Sequence, residues 1–223
     1  MDEASKTLAT WGDWEKSLLT GSGIDIGCGP DPITPDVRPF DVDDGDANCI
    51  TQYVDEQFDY VFSSHCLEHM HDPYAALKDW WQLVKPGGHL IFLVPDEDLY
   101  EQGVFPSRFN ADHKATFTIS KVESWSPVSV NVRDLAHSLE GGEVLKLAVN
   151  ATGYDRSLRK HGDPKPWWLP GLLLRPYRSL RKRRRLRSKV LDAFVTIDQT
   201  TRMGALAQIE CIVRKRAGEA AGT

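Results

Sequence analysis

The chain has 223 residues, of which 41% are hydrophobic and 26% are charged, values typical of a folded globular protein. This length suits one well-buried domain with an insertion and is too short for two full domains. The four cysteines lie far apart without C-x-x-C spacing, so they indicate neither a zinc site nor a disulfide framework and favour a reducing cytoplasm.

The basic charge is concentrated in one segment. Nine of the 27 Lys and Arg residues lie within residues 175–189, so the rest of the chain carries 18 basic and 32 acidic residues. This asymmetry predicts an acidic body with a basic arm for an anionic partner. The N-terminus lacks the apolar core of a signal peptide and no apolar run is long enough to span a bilayer, so we expect a cytoplasmic protein.

The first predicted strand leads into a glycine turn. Ile24 and Ile26 form a short apolar run before Gly27-Cys28-Gly29, as expected for a buried parallel strand that ends in a tight turn. Two glycines at that point would let a ligand lie directly against the backbone. The proline-rich stretch 30–37 predicts a loop in place of a helix between the first two strands.

A strand, a helix and another strand are predicted next. Residues 58–62 form the strand, and Asp72 and Pro73 are suited to be the N-cap and first residue of the helix. The K-P-G-G turn at 85–88 is predicted to end the helix before a buried strand at 89–94. The apolar face of the helix is predicted to contain Leu77, Trp80, Trp81 and Val84. This unit predicts a parallel sheet with ligands beyond the carboxyl ends of its strands.

The C-terminal half carries weaker patterns. They predict a helix at 130–139, a strand at 143–149 and a closing antiparallel edge strand at 204–214. A segment rich in Trp, Leu and Arg at 155–190 is predicted to be an insertion in a single domain, 1–223. The predicted fold class is α/β, with a Rossmann-like, mostly parallel sheet flanked by helices and an antiparallel C-terminal edge strand.

Three linked motifs carry a family resemblance. They are IDIGCGP at 24–30, FDYVFSSHCLEHMHDP at 58–73 and ALKDWWQLVKPGGHLIFLVP at 76–95. In this order and spacing they resemble the class I S-adenosylmethionine-dependent methyltransferases of the type with an L-E-H stretch and a K-P-G-G turn. The resemblance implies S-adenosylmethionine as the cofactor and methyl transfer by in-line displacement at its sulfonium.

The resemblance also implies roles for individual residues. Asp25 and the turn at 27–29 would hold the methionine end of the cofactor, Asp41 the ribose hydroxyls and Asp46 the adenine amino group. The full set of predicted cofactor-binding residues is Asp25, Gly27, Cys28, Gly29, Asp41, Asp46, Ala47, Ser64 and His65.

The segment after residue 96 is expected to face the acceptor, because it follows the carboxyl end of a strand. We predict that His113 is the general base, since an imidazole oriented by Asp112 or by a backbone carbonyl could take a proton from a hydroxyl near neutral pH. A role for His113 in shaping its loop is equally compatible with the sequence. The predicted substrate-binding residues are Tyr100, Arg108 and Asp112. The spacing of His65 and His69 is that of metal ligands on a helix, but no third ligand is evident. We therefore predict no metal site and expect both histidines to be loop and helix-start residues that line the cofactor pocket.

The preferred function is methylation of a sugar hydroxyl in glycan or glycolipid biosynthesis. The alternatives are methylation of oxygen, nitrogen or carbon in a small metabolite, and an inactive cofactor-binding module that acts through its basic arm.

Trp167 and Trp168 beside the basic run predict binding of residues 167–189 to an anionic membrane, at the inner face of the membrane. A basic helix packed against the domain is an equal alternative, and an RNA-binding arm ranks below both. The sequence does not predict an oligomeric state.

Overall fold

A computed structural model describes residues 3–119, 121–159, 161–162 and 197–217. Residues 167–189, and most of the insertion predicted at 155–190, lie outside the described residues. The helices are α1 (Glu3–Thr10), α2 (Asp13–Ser17), α3 (Pro73–Gln82), α4 (Val132–His137) and α5 (Gln199–Met203). The strands are β1 (Gly23–Ile26), β2 (Arg38–Phe40), β3 (Phe58–Ser64), β4 (Val84–Pro95), β5 (Thr116–Thr118), β6 (Ser129–Asn131), β7 (Gly142–Asn150) and β8 (Gln208–Lys215).

Six strands form the central sheet in the order β2-β1-β3-β4-β8-β7. The first four are parallel, and β8 pairs antiparallel with both β4 and β7. The predicted fold class, a mostly parallel Rossmann-like sheet with an antiparallel C-terminal strand, is therefore confirmed. The β7 strand pairs with the far side of β8 and is the outermost strand on that side.

Helix α3 begins as predicted and ends earlier than predicted. The side chain of Asp72 accepts hydrogen bonds from the backbone N–H groups of Tyr74 and Ala75, and Pro73 is the first helical residue. The helix ends at Gln82, and the K-P-G-G stretch belongs to β4. The prediction that Val84 is a helical residue is wrong, because Val84 is extended and pairs with Phe58 of β3.

The connection from β1 to β2 is the loop predicted from its prolines, since residues 27–37, all described, contain no helix. Ile33 and Val37 of this loop are buried in one cluster with Trp11 and Phe62, whose rings meet edge to face at 6.1 Å. Because the loop and the N-terminal segment cover this face of the sheet, the missing helix leaves no gap in the core.

The opposite face of the sheet carries the larger core. Trp80 and Leu77 of α3 and Leu135 of α4 are fully buried there against β-strand side chains such as Phe92. The described residues also include 3₁₀ or π turns at Ala47–Gln52, Leu67–His69, Glu97–Glu101 and Arg156–Leu158. Within the part of the chain that is described, no helix has the length and apolar character to cross a membrane.

Candidate functional site

A cleft of about 690 Å³ opens beyond the carboxyl ends of β1, β2 and β3. It is lined by Gly27, Phe40, Asp41, Val42, Gly45, Asp46, Ala47, Asn48, Tyr53, His65, Cys66, His69, Met70 and Asp112. A second cavity of about 130 Å³ is lined by Glu3, Ala4, Asp25, Gly27, Cys28, Gly29, Pro30, Asp31, Ser64 and His65. Gly27 and His65 line both spaces, so the two together form one elongated, two-compartment site at the position expected for a ligand of this fold.

The two glycines of the turn are required for different reasons. Both have a positive φ, +76° at Gly27 and +53° at Gly29, a conformation that side chains disfavour. A Cβ at position 27 would lie 2.6 Å from the Cβ of Cys66, whereas one at position 29 would come no closer than 4.0 Å to a protein atom, the Oδ2 of Asp41. Gly27 therefore allows close packing of the fold, and Gly29 leaves space beside the small cavity.

Asp25 places a carboxylate in the small cavity. Its Oδ2 accepts a hydrogen bond from the backbone N–H of Ile33 at 2.8 Å, and its Oδ1 is buried without a hydrogen-bond partner among the described residues. Burial raises the pKa of Asp25 to about 7. A ligand with a cationic group at this place would satisfy the remaining carboxylate oxygen, as the predicted contact with the methionine end requires.

Asp41 and Asp46 line the larger compartment. Asp41 directly follows β2, and its two carboxylate oxygens accept hydrogen bonds from the backbone N–H groups of Gly29, at 2.6 Å, and Val42, at 2.7 Å. Asp46 is the N-cap of the turn at Ala47–Gln52 and accepts from the backbone N–H of Asn48. These contacts fix the cleft wall, and every residue predicted to bind the cofactor lines one of the two compartments.

His69 and Asp112 form one part of the cleft wall. The Nδ1 of His69 lies 2.8 Å from Oδ2 of Asp112, which ties the turn after β3 to the segment that follows β4. Asp112 thus lies where substrate binding was predicted. His69, which was expected with His65 to line the cofactor pocket, is one of the residues that line the cleft.

His113 lies behind His69 and away from the cleft. It is 5% exposed, its Nδ1 is 2.6 Å from Oε1 of Glu101, its ring stacks on Tyr100 at 5.3 Å, and it meets the His69 ring edge to face at 5.0 Å. His113 and Tyr100 line a third cavity, of about 30 Å³, with Glu3, His65, Glu68, His69, Asn110 and Thr200. Arg108 is half-buried and is not among the described residues that line these three cavities.

Glu68 is the residue of this region whose role the sequence analysis missed, although it lies in the L-E-H stretch. Its side chain is 1% exposed and its Oε1 is 3.3 Å from Nδ1 of His65. Burial would raise the pKa of Glu68, but the His65 ring and the charges of His65, His113 and His69 outweigh burial, so the pKa is lowered. Glu68 is therefore held as a buried carboxylate among histidines.

Comparison with known proteins agrees with this geometry. Residues 31–92, less than a third of the chain, match the family model described as a methyltransferase domain. No curated protein is significantly similar to the chain in sequence.

Solved structures share the fold at low sequence identity. A chain from the complex between the Haloferax volcanii Trm112 methyltransferase activator and a candidate methyltransferase matches at 14% identity and a TM-score of 0.50, covering 96% of this chain and 89% of that one. A possible histamine N-methyltransferase from Thermotoga maritima matches at 16% identity and a TM-score of 0.48, covering 96% and 88%. A candidate methyltransferase from Bacillus halodurans matches at 12% identity and a TM-score of 0.46, covering 92% and 100%. At these identities the likeness concerns the fold alone. The family-model match over residues 31–92 agrees with the family and the cofactor predicted from the motifs.

Proposed function

We propose that this chain, which carries a class I S-adenosylmethionine-dependent methyltransferase domain, methylates a hydroxyl oxygen, and that the hydroxyl belongs to a sugar of a glycan or glycolipid. The observation that carries the proposal is the cluster of histidines and carboxylates at the acceptor side of the cleft. His69 pairs with Asp112 on the cleft wall, and His113 pairs with Glu101 directly behind it.

The cluster favours oxygen over nitrogen as the atom methylated. A neutral amine already has a lone pair for attack on the sulfonium, whereas a hydroxyl is a poor nucleophile until it loses its proton. The enzyme otherwise needs only to align the acceptor with the methyl group, because the sulfonium is already activated. Two imidazoles with a carboxylate on each would have little use in methylation of a neutral amine.

The rim of the cleft supports a hydroxyl-rich acceptor. Asp112, in the segment that follows the turn at Glu97–Glu101, places a carboxylate on the cleft wall, and His69 places an imidazole beside it. Such donors and acceptors suit the hydroxyl groups of a sugar. A glycolipid acceptor is also consistent with the basic, tryptophan-containing segment 167–189, which is suited in sequence to an anionic membrane surface.

The experiment is turnover by the purified protein with S-adenosylmethionine and fractions of a cell extract. We expect S-adenosylhomocysteine to form with the glycan and glycolipid fractions, and mass spectrometry of hydrolysed sugars to show a methyl ether. A methylated amine or another small metabolite as the only product would replace this proposal with the small-metabolite alternative. Binding of S-adenosylmethionine without turnover in any fraction would favour the cofactor-binding module.

A further inference from the structure

We propose that Glu68, His69 and His113 form a binding site for one divalent transition-metal ion of the zinc class. One ligand atom of each residue lies within 4.8 Å of the other two, and the three side chains surround the cavity of about 30 Å³. Both carboxylate oxygens of Glu68 are buried and lack a hydrogen-bond partner among the described residues. The Nδ1 of His65 lies 3.3 Å from Oε1, which leaves Oε2 without any close partner among the described residues. A cation would compensate a buried carboxylate that is so incompletely hydrogen-bonded for its loss of water.

Each histidine is oriented by a carboxylate on its other nitrogen. Asp112 contacts the Nδ1 of His69 at 2.8 Å, and Glu101 contacts the Nδ1 of His113 at 2.6 Å. This is the arrangement in which a carboxylate fixes the tautomer and ring direction of a metal-binding histidine, with Nε2 as the ligand atom. In His113, Nε2 is 3.9 Å from Oε1 of Glu68. That separation is too long for a hydrogen bond, but two ligands each about 2.1 Å from one ion can lie up to about 4.2 Å apart. A pair of ligand atoms at the 4.8 Å limit of the cluster would have to approach by about 0.6 Å on binding the ion.

The buried negative charges around the proposed metal site also favour a bound cation. The side chains of Glu68 and Glu101 are both about 1% exposed, and Oε2 of Glu101 is a further buried oxygen for which the described residues supply no partner. The histidines contact these carboxylates but cannot donate to all of their oxygens. A divalent ion between Glu68, His69 and His113 would balance both negative charges in one step.

The ligand set indicates the class of ion. Two imidazoles and one carboxylate bind zinc in sites that keep a further position open, whereas magnesium and calcium prefer oxygen ligands. His69 lines both the cavity of about 30 Å³ and the cleft, so the proposed metal site borders the place where the acceptor is proposed to bind. A hydroxyl bound to the ion there would lose its proton to solvent water more readily, and its oxygen would then attack the methyl group. This role in acceptor activation rests on the proposed function, whereas the metal site itself does not.

The test is metal binding by the full chain after treatment with a chelator. We titrate it with Co²⁺, follow the visible absorption of the bound ion, and measure displacement by Zn²⁺ in a calorimeter. We expect one ion per chain, and at least a hundredfold weaker binding in Glu68→Gln and in His69→Gln. The matched control is His71→Gln. His71 is an exposed histidine of the same loop, and it is its backbone N–H that contacts Asn48. The affinity of this variant for the metal should equal that of the unmodified chain.

The affinity for S-adenosylmethionine, measured in each variant, reports whether the cofactor site is folded. If Glu68→Gln fails to fold, His69→Gln, whose side chain is a quarter exposed, carries the test alone. Absence of Co²⁺ binding by the unmodified chain, or unchanged binding in folded His69→Gln, would overturn the metal site. If the metal binds but its removal leaves turnover unchanged, the role in acceptor activation is overturned and methyl transfer itself is not.

Discussion

The backbone of Gly27 lies against Cys66 so closely that a Cβ at position 27 would be 2.6 Å from the Cβ of Cys66. Gly29, two residues later, has no such neighbour. Substitution of the two glycines of this turn should therefore have different effects.

Gly27→Ala should destabilise the fold, and Gly29→Ala should chiefly weaken cofactor binding. We expect Gly27→Ala to lower the free energy of unfolding by roughly 1–3 kcal/mol. The added Cβ would overpack against Cys66, and the positive φ at position 27 disfavours a side chain there. Gly29→Ala should weaken S-adenosylmethionine binding at least tenfold, because its Cβ would enter space beside the cofactor cavity. Urea denaturation and calorimetry measure the two effects. Unchanged affinity in Gly29→Ala would contradict the assignment of this turn to the cofactor.

Asp25 should make cofactor binding depend on pH. Its pKa is raised to about 7 by burial, and only the ionised carboxylate can pair with the ammonium group of S-adenosylmethionine. Affinity should therefore rise as the pH increases from about 6 to about 8, with proton release on binding at the lower pH. Calorimetry in two buffers of different ionisation enthalpy measures this release, and Asp25→Asn should bind weakly and without the pH dependence.

The same shift predicts the stability of the ligand-free chain. A carboxyl whose pKa is higher in the folded than in the unfolded state binds its proton more tightly when folded, so its neutral form favours folding. As the pH rises from about 4 to about 7, the chain should lose the contribution from Asp25, and Asp25→Asn should lose less stability over this range. Equal pH profiles for the two proteins would show that Asp25 does not titrate in this way.

Asp41 should contribute more to cofactor affinity than Asp43. Asp41 holds the backbone of Gly29 and lines the cleft where the ribose is predicted to bind, whereas Asp43 is exposed. We expect Asp41→Asn to weaken S-adenosylmethionine binding at least tenfold, since a charged acceptor makes a stronger hydrogen bond than a neutral one. Asp43→Asn is the matched control and should bind normally. Equal affinities in the two variants would remove Asp41 from the ribose site.

His113 should affect turnover without affecting the cofactor. It lines neither of the two cofactor compartments, so His113→Ala should leave S-adenosylmethionine affinity within about threefold while lowering turnover by roughly a hundredfold or more. The control is His137→Ala, at the exposed end of α4. Near-normal turnover by His113→Ala would remove His113 from acceptor activation, both as a general base and as a ligand of an activating ion, and would leave it a role in shaping its loop.

The segment 167–189 should bind anionic membranes if it acts as an interfacial element. Co-sedimentation with vesicles containing phosphatidylserine should weaken as salt is added and should weaken further in the Trp167→Ala/Trp168→Ala double variant, because charge and inserted tryptophan both contribute. Neutral vesicles are the control. Lack of sedimentation at low salt would favour a basic helix packed on the domain, and retention of RNA in place of vesicles would favour the nucleic-acid alternative.

Local sequence was enough to predict the elements whose signals lie within a few residues. The alternation of apolar strands with the Asp72-Pro73 helix start predicts a parallel sheet, and the prolines of 30–37 predict the loop that replaces a helix. The glycine turn predicts a ligand at the carboxyl end of β1. The inferences about the sheet and the loop succeed because dihedral preference, capping and apolar periodicity are properties of short segments, whereas the ligand at the turn stays a prediction.

Tertiary structure decided the rest. Val84 has the spacing of a helical residue, but pairing with Phe58 draws it into β4, because a strand partner outweighs a weak helical preference. Glu68 and His113 lie 45 positions apart, and only the path of the chain through α3, β4 and the turn at Glu97–Glu101 brings them together. Which carboxylate orients which imidazole depends on distances of a few ångströms between separate segments. Residue spacing along the chain does not encode those distances.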